Sequence, residues 1–355
     1  MKIVHVVYSL EVGGAEVLVS QLCRLQRAQG HQVWIFSYAH LGVIGEALLA
    51  EGFDIYVPGV APALTTMRRY YKRLRGIRPD VVHCHNVAPT TQAVIPARLV
   101  GVPMILSTRH RLELHPYDWS SEAQYNLMGW LCNRITGICQ VTIDNIKKGP
   151  FCCTRKLVLV YNGTLPVERV DVSALPKRGF TLVFVGRLAP EKMLETLIEA
   201  VARVGDKIPG LSFWIVGDGR SRPTLEALVH NLGVQDAVIF WGQQTITAPF
   251  FSAADAFVMS SISEGLPMSL LQSMSLGTPA ILTDVDGMGE ILRLTGGGLL
   301  VPVKDVEAMA EAIERLAGDA ELYAELSAKA LQAYQERFTL EVMAEGYARL
   351  YTGQS

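Results

Sequence analysis

Short runs of branched and apolar residues, each followed by a stretch long enough for a helix, recur along this chain in two sets. The first set lies at 3–8, 32–37, 81–84, 104–107 and 157–161, and the second at 180–185, 212–216, 238–241, 256–259 and 280–283. Such runs read as strands buried on both faces. Between the first two, Leu18, Leu22 and Leu25 fall at helical spacing and Gly30 closes the helix. Strands that alternate with helices need crossovers, so the expected sheets are parallel and covered on both faces. The two sets are separated by Leu175-Pro176-Lys177-Arg178-Gly179, a polar break of linker character. The predicted architecture is therefore α/β with two Rossmann-like domains, 1–175 and 176–338, and a ligand cleft at the carboxyl ends of their strands. Closing helices are expected at 306–316, 320–334 and 340–351, the last belonging to a segment 339–355. A length of 355 residues agrees, since single cores seldom grow beyond about 250–300 residues.

Composition removes several classes. Half the residues are apolar and 19% are charged, as expected of a well-buried globular chain. The longest charge-free stretches, 237–254 and 265–283, are broken by Gly, Pro, Ser and Gln, so neither reads as a membrane span. The first strand ends at Glu11, too early for a signal peptide. Six cysteines without C-x-x-C spacing imply reduced thiols and a cytoplasmic protein. Net charge is −2, yet residues 1–178 hold 20 Lys and Arg against 12 Asp and Glu, an excess that points to an anionic partner for the N-terminal half. Six basic residues fall between Met67 and Arg78, where Met67, Tyr70, Leu74 and Ile77 share one helical face. A basic amphipathic helix can lie on anionic lipid, and it can equally be a solvated face; peripheral membrane contact stays open here. No nucleic-acid-binding module accompanies it.

The most informative loop is Ser263-Glu264-Gly265-Leu266-Pro267-Met268, which leaves the apolar strand at 256–259 and opens a helix that reaches Gln272. A helix start behind a strand offers unpaired N–H groups and the positive end of a dipole to a phosphate. Gly265 permits close backbone approach, while Glu264 suits sugar hydroxyls. Phosphates together with hydroxyls describe a nucleotide sugar. Arg187 and Lys192, five residues apart after another strand, are placed to bracket a diphosphate, one as a planar fork and the other as a point charge. Gly13-Gly14 after the first strand allows a tight turn toward a phosphate or sugar; a plain helix entry with Glu16 in its first turn explains it as well. His83 and His85 alternate on one strand end, but spacing supplies no third metal ligand, and no metal is expected. A hydrolase would need two facing carboxylates, and the helical partner of Glu264 is Gln272.

These motifs resemble the signature of retaining glycosyltransferases of family 4, the group 1 glycosyl transferases, which have the GT-B fold. The likeness covers nearly the whole chain: Gly13-Gly14-Ala15-Glu16, Ser107-Thr108-Arg109-His110, Val185-Gly186-Arg187-Leu188-Ala189-Pro190-Glu191-Lys192, Val216-Gly217-Asp218-Gly219, the Glu264 loop, and Gly297-Gly298-Leu299-Leu300-Val301-Pro302 follow in the family's order. The resemblance implies two Rossmann-like domains facing across a central cleft, with the last helix crossing back to the N-terminal one. It implies metal-independent sugar transfer from a nucleoside diphosphate, a UDP-sugar favoured over a GDP-sugar, to a glycan, lipid-linked or small-molecule acceptor in polysaccharide biosynthesis. By the same resemblance His110, Arg187, Lys192 and Glu264 are catalytic. Gly13, Gly14, Gly186, Ser263, Gly265, Leu266 and Pro267 line the donor, and Trp241 sits where the family places its base pocket, though a plain core Trp explains it as well. Apart from the resemblance, Arg109 and Arg111 flank His110 as cations for a phosphorylated acceptor. The family's second Glu, which holds the ribose, is replaced by Gln272. That departure leaves a degenerate nucleotide-sugar-binding protein as a rival reading, beside a sugar-nucleotide 2-epimerase of the same fold.

Overall fold

The computed structural model describes residues 1–110, 112 and 118–354. The chain divides into two compact units, Met1–Gly163 with Leu340–Ser355, and Thr164–Thr339. The first unit carries β1 (Lys2–Val7), β2 (Gln32–Ser37), β3 (Asp54–Tyr56), β4 (Val81–His85), β5 (Met104–Arg109), β6 (Arg134–Gly137) and β7 (Leu157–Leu159). They form one parallel sheet in the order β3-β2-β1-β4-β5-β6-β7. The second unit carries β8 (Thr181–Val185), β9 (Ser212–Val216), β10 (Val238–Gly242), β11 (Ala256–Met259), β12 (Ala280–Thr283) and β13 (Gly298–Val301). These are also parallel, ordered β10-β9-β8-β11-β12-β13.

Strands β3, β6 and β13 were not anticipated. Each spans three or four residues, and Asp54, Arg134 and Gly298 interrupt their apolar character. The boundary between units also differs from the expected one at residue 175. Residues after Gly163 are tied into the second unit, where the Val167 N–H donates to Ser275 Oγ at 3.0 Å and Arg169 to the Leu276 carbonyl at 2.9 Å. The polar break carries Lys177, which pairs with Asp255 at 2.9 Å inside the same unit. Toward the end, helices Val306–Gly318 and Ala320–Ala333 are capped by Asp305 and Asp319. A π-helical turn, Tyr334–Phe338, precedes helix Leu340–Tyr351, which returns to the first unit. Among the described residues no helix is long and apolar enough to cross a membrane.

The two faces of the first sheet differ. Alternation along a strand sends Val4, Val6, Val82, Cys84 and Ile105 to one face, where they pack with Tyr70, Leu74, Ala93 and Ala97. The other face receives His5, His83, His85, Thr108 and Thr136, all buried. Register sets the first two side by side, since His5 of β1 pairs with His83 of β4. This polar layer is covered by Gln26 of helix Gly14–Ala28 and by Tyr347 and Tyr351 of the last helix.

The basic segment forms helix Ala63–Ile77. Its apolar stripe of Tyr70, Leu74 and Ile77 is buried in the unit's own core, so that face has nothing left to insert into lipid. Met67 is only partly buried and Thr66 takes its place on the inner face. Arg73 is paired with Asp54 at 2.8 Å and Arg69 donates to the Pro58 carbonyl.

Candidate functional site

In open α/β sheets ligands bind outside the carboxyl ends of the strands, where the strand order reverses. In the second unit that point lies between β8 and β11. The loop after β8 carries Gly186, Arg187 and Lys192, and the loop after β11 carries Ser263, Glu264, Gly265, Leu266 and Pro267. The topology thus brings two groups of sequence-selected residues, some seventy positions apart, to one place in the sheet.

The two loops are knitted together. Ser260 Oγ donates to the Lys192 and Met193 carbonyls at 2.9 and 2.7 Å, and the Ile262 N–H donates to the Glu191 carbonyl at 3.0 Å. Met193 has a positive φ of 48°, which lets the short 3-10 turn Pro190–Lys192 pass into helix Leu194–Val204. Lys192 Nζ meets Glu264 Oε1 in an ion pair, and Ser261 Oγ lies 3.3 Å from the same oxygen. The Lys192 side chain is only 15% exposed, because its ion pair with Glu264 draws it inward. Burial lowers its ammonium from 10.5 to about 8, with Glu191 opposing and Arg187 adding to the shift. Arg187 is 72% exposed and touches Glu191 at 3.1 Å, so its guanidinium keeps most of its donors available.

The Glu264 loop rests on a residue that sequence reasoning missed. Asp286 Oδ2 accepts from Ser263 Oγ and from the Glu264 N–H, the latter at 3.2 Å, and the Gly287 N–H donates to the Glu264 carbonyl at 3.0 Å. A second carboxylate does therefore lie beside Glu264, but it is engaged in holding the loop. Its distance of 22 positions, across β12, hides it from any spacing argument. Helix Met268–Ser275 begins at Pro267 with no side-chain cap, which leaves its first N–H groups open. Gln272 lies one turn in and its carboxamide has no protein partner among the described residues.

Close packing explains the glycines after β9. A Cβ on Gly217 would sit 1.9 Å from the Gly186 carbonyl oxygen, and one on Gly219 would sit 2.2 Å from that of Leu188. These glycines let β9 support the Arg187 loop, whose Leu188 N–H donates to the Asp218 carbonyl at 2.9 Å. Trp241 ends β10 in an aromatic cluster, 5.5 Å from Trp214 and 5.0 Å from Phe250, and Gln244 occupies its carbonyl at 2.7 Å.

In the first unit the order reverses between β1 and β4. A small crevice there is lined by Tyr8, Ala15, Glu16, His85 and Asn86. Gly13 has an extended backbone, and the Glu16 carboxylate folds over it, within 2.3 Å of where a Cβ would be. Burial raises the Glu16 carboxyl. His110 follows β5, and its N–H is held by Asn86 Oδ1 at 2.8 Å. Arg109 is not available to an acceptor: it is buried, paired with Glu122 and placed over the Tyr125 ring. Arg111 lies outside the described residues.

Structure supplies the third histidine that spacing could not. His5, His83 and His85 each bring a ring nitrogen within 4.8 Å of the others. All six of their ring nitrogens are already engaged by protein, through Gln26, Thr108, Tyr351, His110 and one another. Burial pushes His5 and His110 down to about 4 and His83 and His85 well below the usual range, so this layer is neutral. A surface hollow of about 810 Å³ opens at the amino ends of β1 and β2 and along β3, lined by Lys2, Trp34, Asp54, Tyr56 and Lys72.

Comparison with known proteins addresses the family and the fold. Residues 168–333 match the family model of glycosyl transferases group 1, and residues 12–164 that of glycosyltransferase family 4. The alpha-D-kanosaminyltransferase of Streptomyces kanamyceticus is 30% identical over 315 residues, 81% of each chain. The lipopolysaccharide core biosynthesis glycosyltransferase LpsE of Rhizobium meliloti (strain 1021) is 36% identical over 197 residues, which is 55% of this chain and 57% of that protein. The chain thus matches little more than half the length of that relative. Among solved structures, Anabaena Alr3699/HepE in complex with UDP superposes with a TM-score of 0.88 at 17% identity, over 99% of this chain and 100% of that one. This likeness is one of fold, and the fold is GT-B. With both halves matched and a relative aligned over four-fifths of its length, this chain belongs to the group 1, family 4 glycosyltransferases.

Proposed function

We propose that this chain is a retaining, metal-independent glycosyltransferase that moves a sugar from a nucleoside-diphosphate donor to a glycan, lipid-linked or small-molecule acceptor. The second unit would hold the donor and the first the acceptor. One observation carries the reading: Arg187, Lys192 and Glu264 stand together on the two loops of the strand-order reversal. A UDP-sugar is favoured as donor, and the UDP bound to the structurally similar HepE supports that choice.

In the proposed reaction an acceptor hydroxyl attacks the anomeric carbon on the face from which the diphosphate leaves. The bond from that carbon to the phosphate oxygen breaks, and the hydroxyl proton passes to the departing phosphate. Arg187 and Lys192 stabilise the negative charge that grows on the leaving group. Glu264 accepts hydrogen bonds from sugar hydroxyls and favours the cationic transition state. Because Lys192 is paired with Glu264 beforehand, the donor exchanges one anion for another at a cation already in place. Gln272, one turn into its helix, is assigned to the ribose.

Calorimetric titration with UDP tests the assignment in Arg187→Ala and Lys192→Ala. Losing a charge-assisted phosphate contact costs about 2–5 kcal/mol, with the exposed Arg187 at the low end and Lys192 higher. UDP affinities within twofold of the parent in both folded variants would remove the diphosphate assignment.

A further inference from the structure

We propose that Gln26, His5 and His85 are positioning residues that fix His110 with its proton on Nε2, leaving the Nδ1 lone pair to accept a hydrogen bond from a hydroxyl of the bound sugar or acceptor. The inference deepens the proposed function, since it rests on His110 touching a ligand.

A continuous line of side chains crosses the polar face of the first sheet. Gln26 Oε1 lies 2.8 Å from His5 Nε2, His5 Nδ1 lies 3.0 Å from His85 Nε2, and His85 Nδ1 lies 2.9 Å from His110 Nε2. A neutral imidazole donates from one nitrogen and accepts at the other. An acceptor at Gln26 therefore orients the whole line. The proton of His5 is on Nε2, so its Nδ1 accepts from His85 Nε2–H, and His85 Nδ1 accepts from His110 Nε2–H. That leaves His110 Nδ1 without a proton. This atom is buried and has no protein partner among the described residues. An acceptor left without a donor in the folded chain costs stability, and a ligand hydroxyl supplies the missing donor.

The amide orientation of Gln26 follows from a second line that ends on a backbone carbonyl. Thr136 Oγ1 donates to the Ser107 carbonyl at 3.5 Å and so accepts from Thr108 Oγ1 at 2.6 Å. Thr108 then accepts from His83 Nε2 at 2.6 Å, and His83 Nδ1 accepts from the Tyr351 hydroxyl at 2.7 Å. Tyr351, having donated, accepts from Gln26 Nε2 at 3.4 Å. With its NH2 turned to Tyr351, Gln26 presents its oxygen to His5. Burial holds all four rings neutral, which each step of this ordering requires. At about 4, His110 is a poor base, so its role is to orient a hydroxyl rather than to remove its proton.

Side-chain 15N NMR of the histidine-labelled protein reads the tautomer directly and needs no substitution. The expected result is an unprotonated Nδ1 and a protonated Nε2 on His110; a proton on Nδ1 overturns the proposal. Gln26→Leu removes the acceptor and Gln26→Glu retains it. In Gln26→Leu the His110 resonances should move toward a mixture of tautomers, and kcat with a UDP-sugar should fall about tenfold, the worth of one well-placed hydrogen bond. UDP affinity, set in the second unit, should be unchanged, and Gln26→Glu should keep the parental tautomer and recover most of kcat. Equal loss in both variants, with the tautomer unmoved, reduces Gln26 to a packing role and sinks the positioning claim. If the tautomer is as stated but His110→Ala transfers sugar at the parental rate, the ligand contact at His110 is wrong while the ordered line stands.

Discussion

Acid should unfold the first unit well before the second, and the buried histidine layer sets the size of the effect. His5, His83, His85 and His110 are held neutral by burial in the folded state, at about 4 for His5 and His110 and well below the usual range for the others. In the unfolded chain each returns to about 6.5. The folded state thus binds fewer protons than the unfolded one at any pH between these values. Stability is complete above 6.5 and is lost as pH falls through 6.5 toward 4. Each ring that stays neutral costs about 1.4 kcal/mol per pH unit, or about 2 kcal/mol from pH 6.5 down to pH 5. The figure does not depend on how far the folded value is depressed, because at pH 5 only the unfolded chain takes the proton.

For four rings the loss at pH 5 is about 8 kcal/mol, comparable with the whole stability of a typical domain, about 5–15 kcal/mol. No such layer exists among the second unit's buried polar residues, which are serines, threonines and no histidine. Hydrogen exchange with mass spectrometry, run in a pH series, resolves the units separately. Protection at β1, β4 and β5 should collapse between pH 6 and pH 5 while β8, β9 and β11 stay protected. Replacing His83 with Gln should lower the slope of stability against pH by about 1.4 kcal/mol per unit below 6.5, whatever it does to stability at neutral pH. Equal protection of the β1–β4 region at pH 7 and pH 5 would falsify the account of the layer as neutral and buried.

Other perturbations address the second unit and the basic helix. Gly217→Ala should destabilise the second unit by about 2 kcal/mol or more in denaturant titration, since its φ of 139° and the Gly186 carbonyl leave no room for a methyl group; parental stability would contradict that packing. Gln272→Glu should tighten UDP binding by about 0.5–1.5 kcal/mol, the range of one improved hydrogen bond, whereas Glu264→Gln should leave UDP binding intact or stronger, by freeing Lys192, and cut turnover of the whole donor sugar. Calorimetry and initial rates separate the two; abolished UDP binding in Gln272→Glu means that the helix is misassigned. Among the described residues Arg68, Lys72 and Arg75 have no ion-pair partner, unlike Arg73, so any affinity for acidic liposomes should be electrostatic, fall with salt and vanish when those three become Gln. Binding that ignores salt and these substitutions leaves the helix a solvated face.

What the sequence shows about this molecule is local, and what it hides is register. Strand-length apolar runs place Arg187, Lys192, Glu264 and His110 just after strands, because a loop's position is written beside it. Order within the sheet is not written there. That β8 neighbours β11 and β1 neighbours β4 is decided by crossovers and by helix packing over the whole unit, and this alone joins Lys192 to Glu264 and His5 to His83. For the same reason the charges were misjudged. Lys192 and Arg109 look equally available in sequence, yet partners 72 and 13 positions away draw both inward. Asp286 looks like a helix start and is the support of the Glu264 loop.

The last helix shows how far this non-locality extends. Residues 1–163 contain every strand of the first sheet, yet not the groups that complete its polar face. Tyr351 is the partner of His83 Nδ1 and of Gln26, and the Tyr347 ring packs at a tilt 4.9 Å from the His83 ring. Both arrive only after the chain has passed through the whole second unit. Without them two buried polar groups lose a partner, at about 1–3 kcal/mol each, and the apolar side chains of Leu340, Met343 and Leu350 have nothing to cover. The first unit is therefore discontinuous in sequence, and its polar face is completed from the far end of the chain. His83 and Gln26 gain their partner Tyr351 only from this helix, so the order of Gln26, His5, His85 and His110 is settled when residues 340–351 dock.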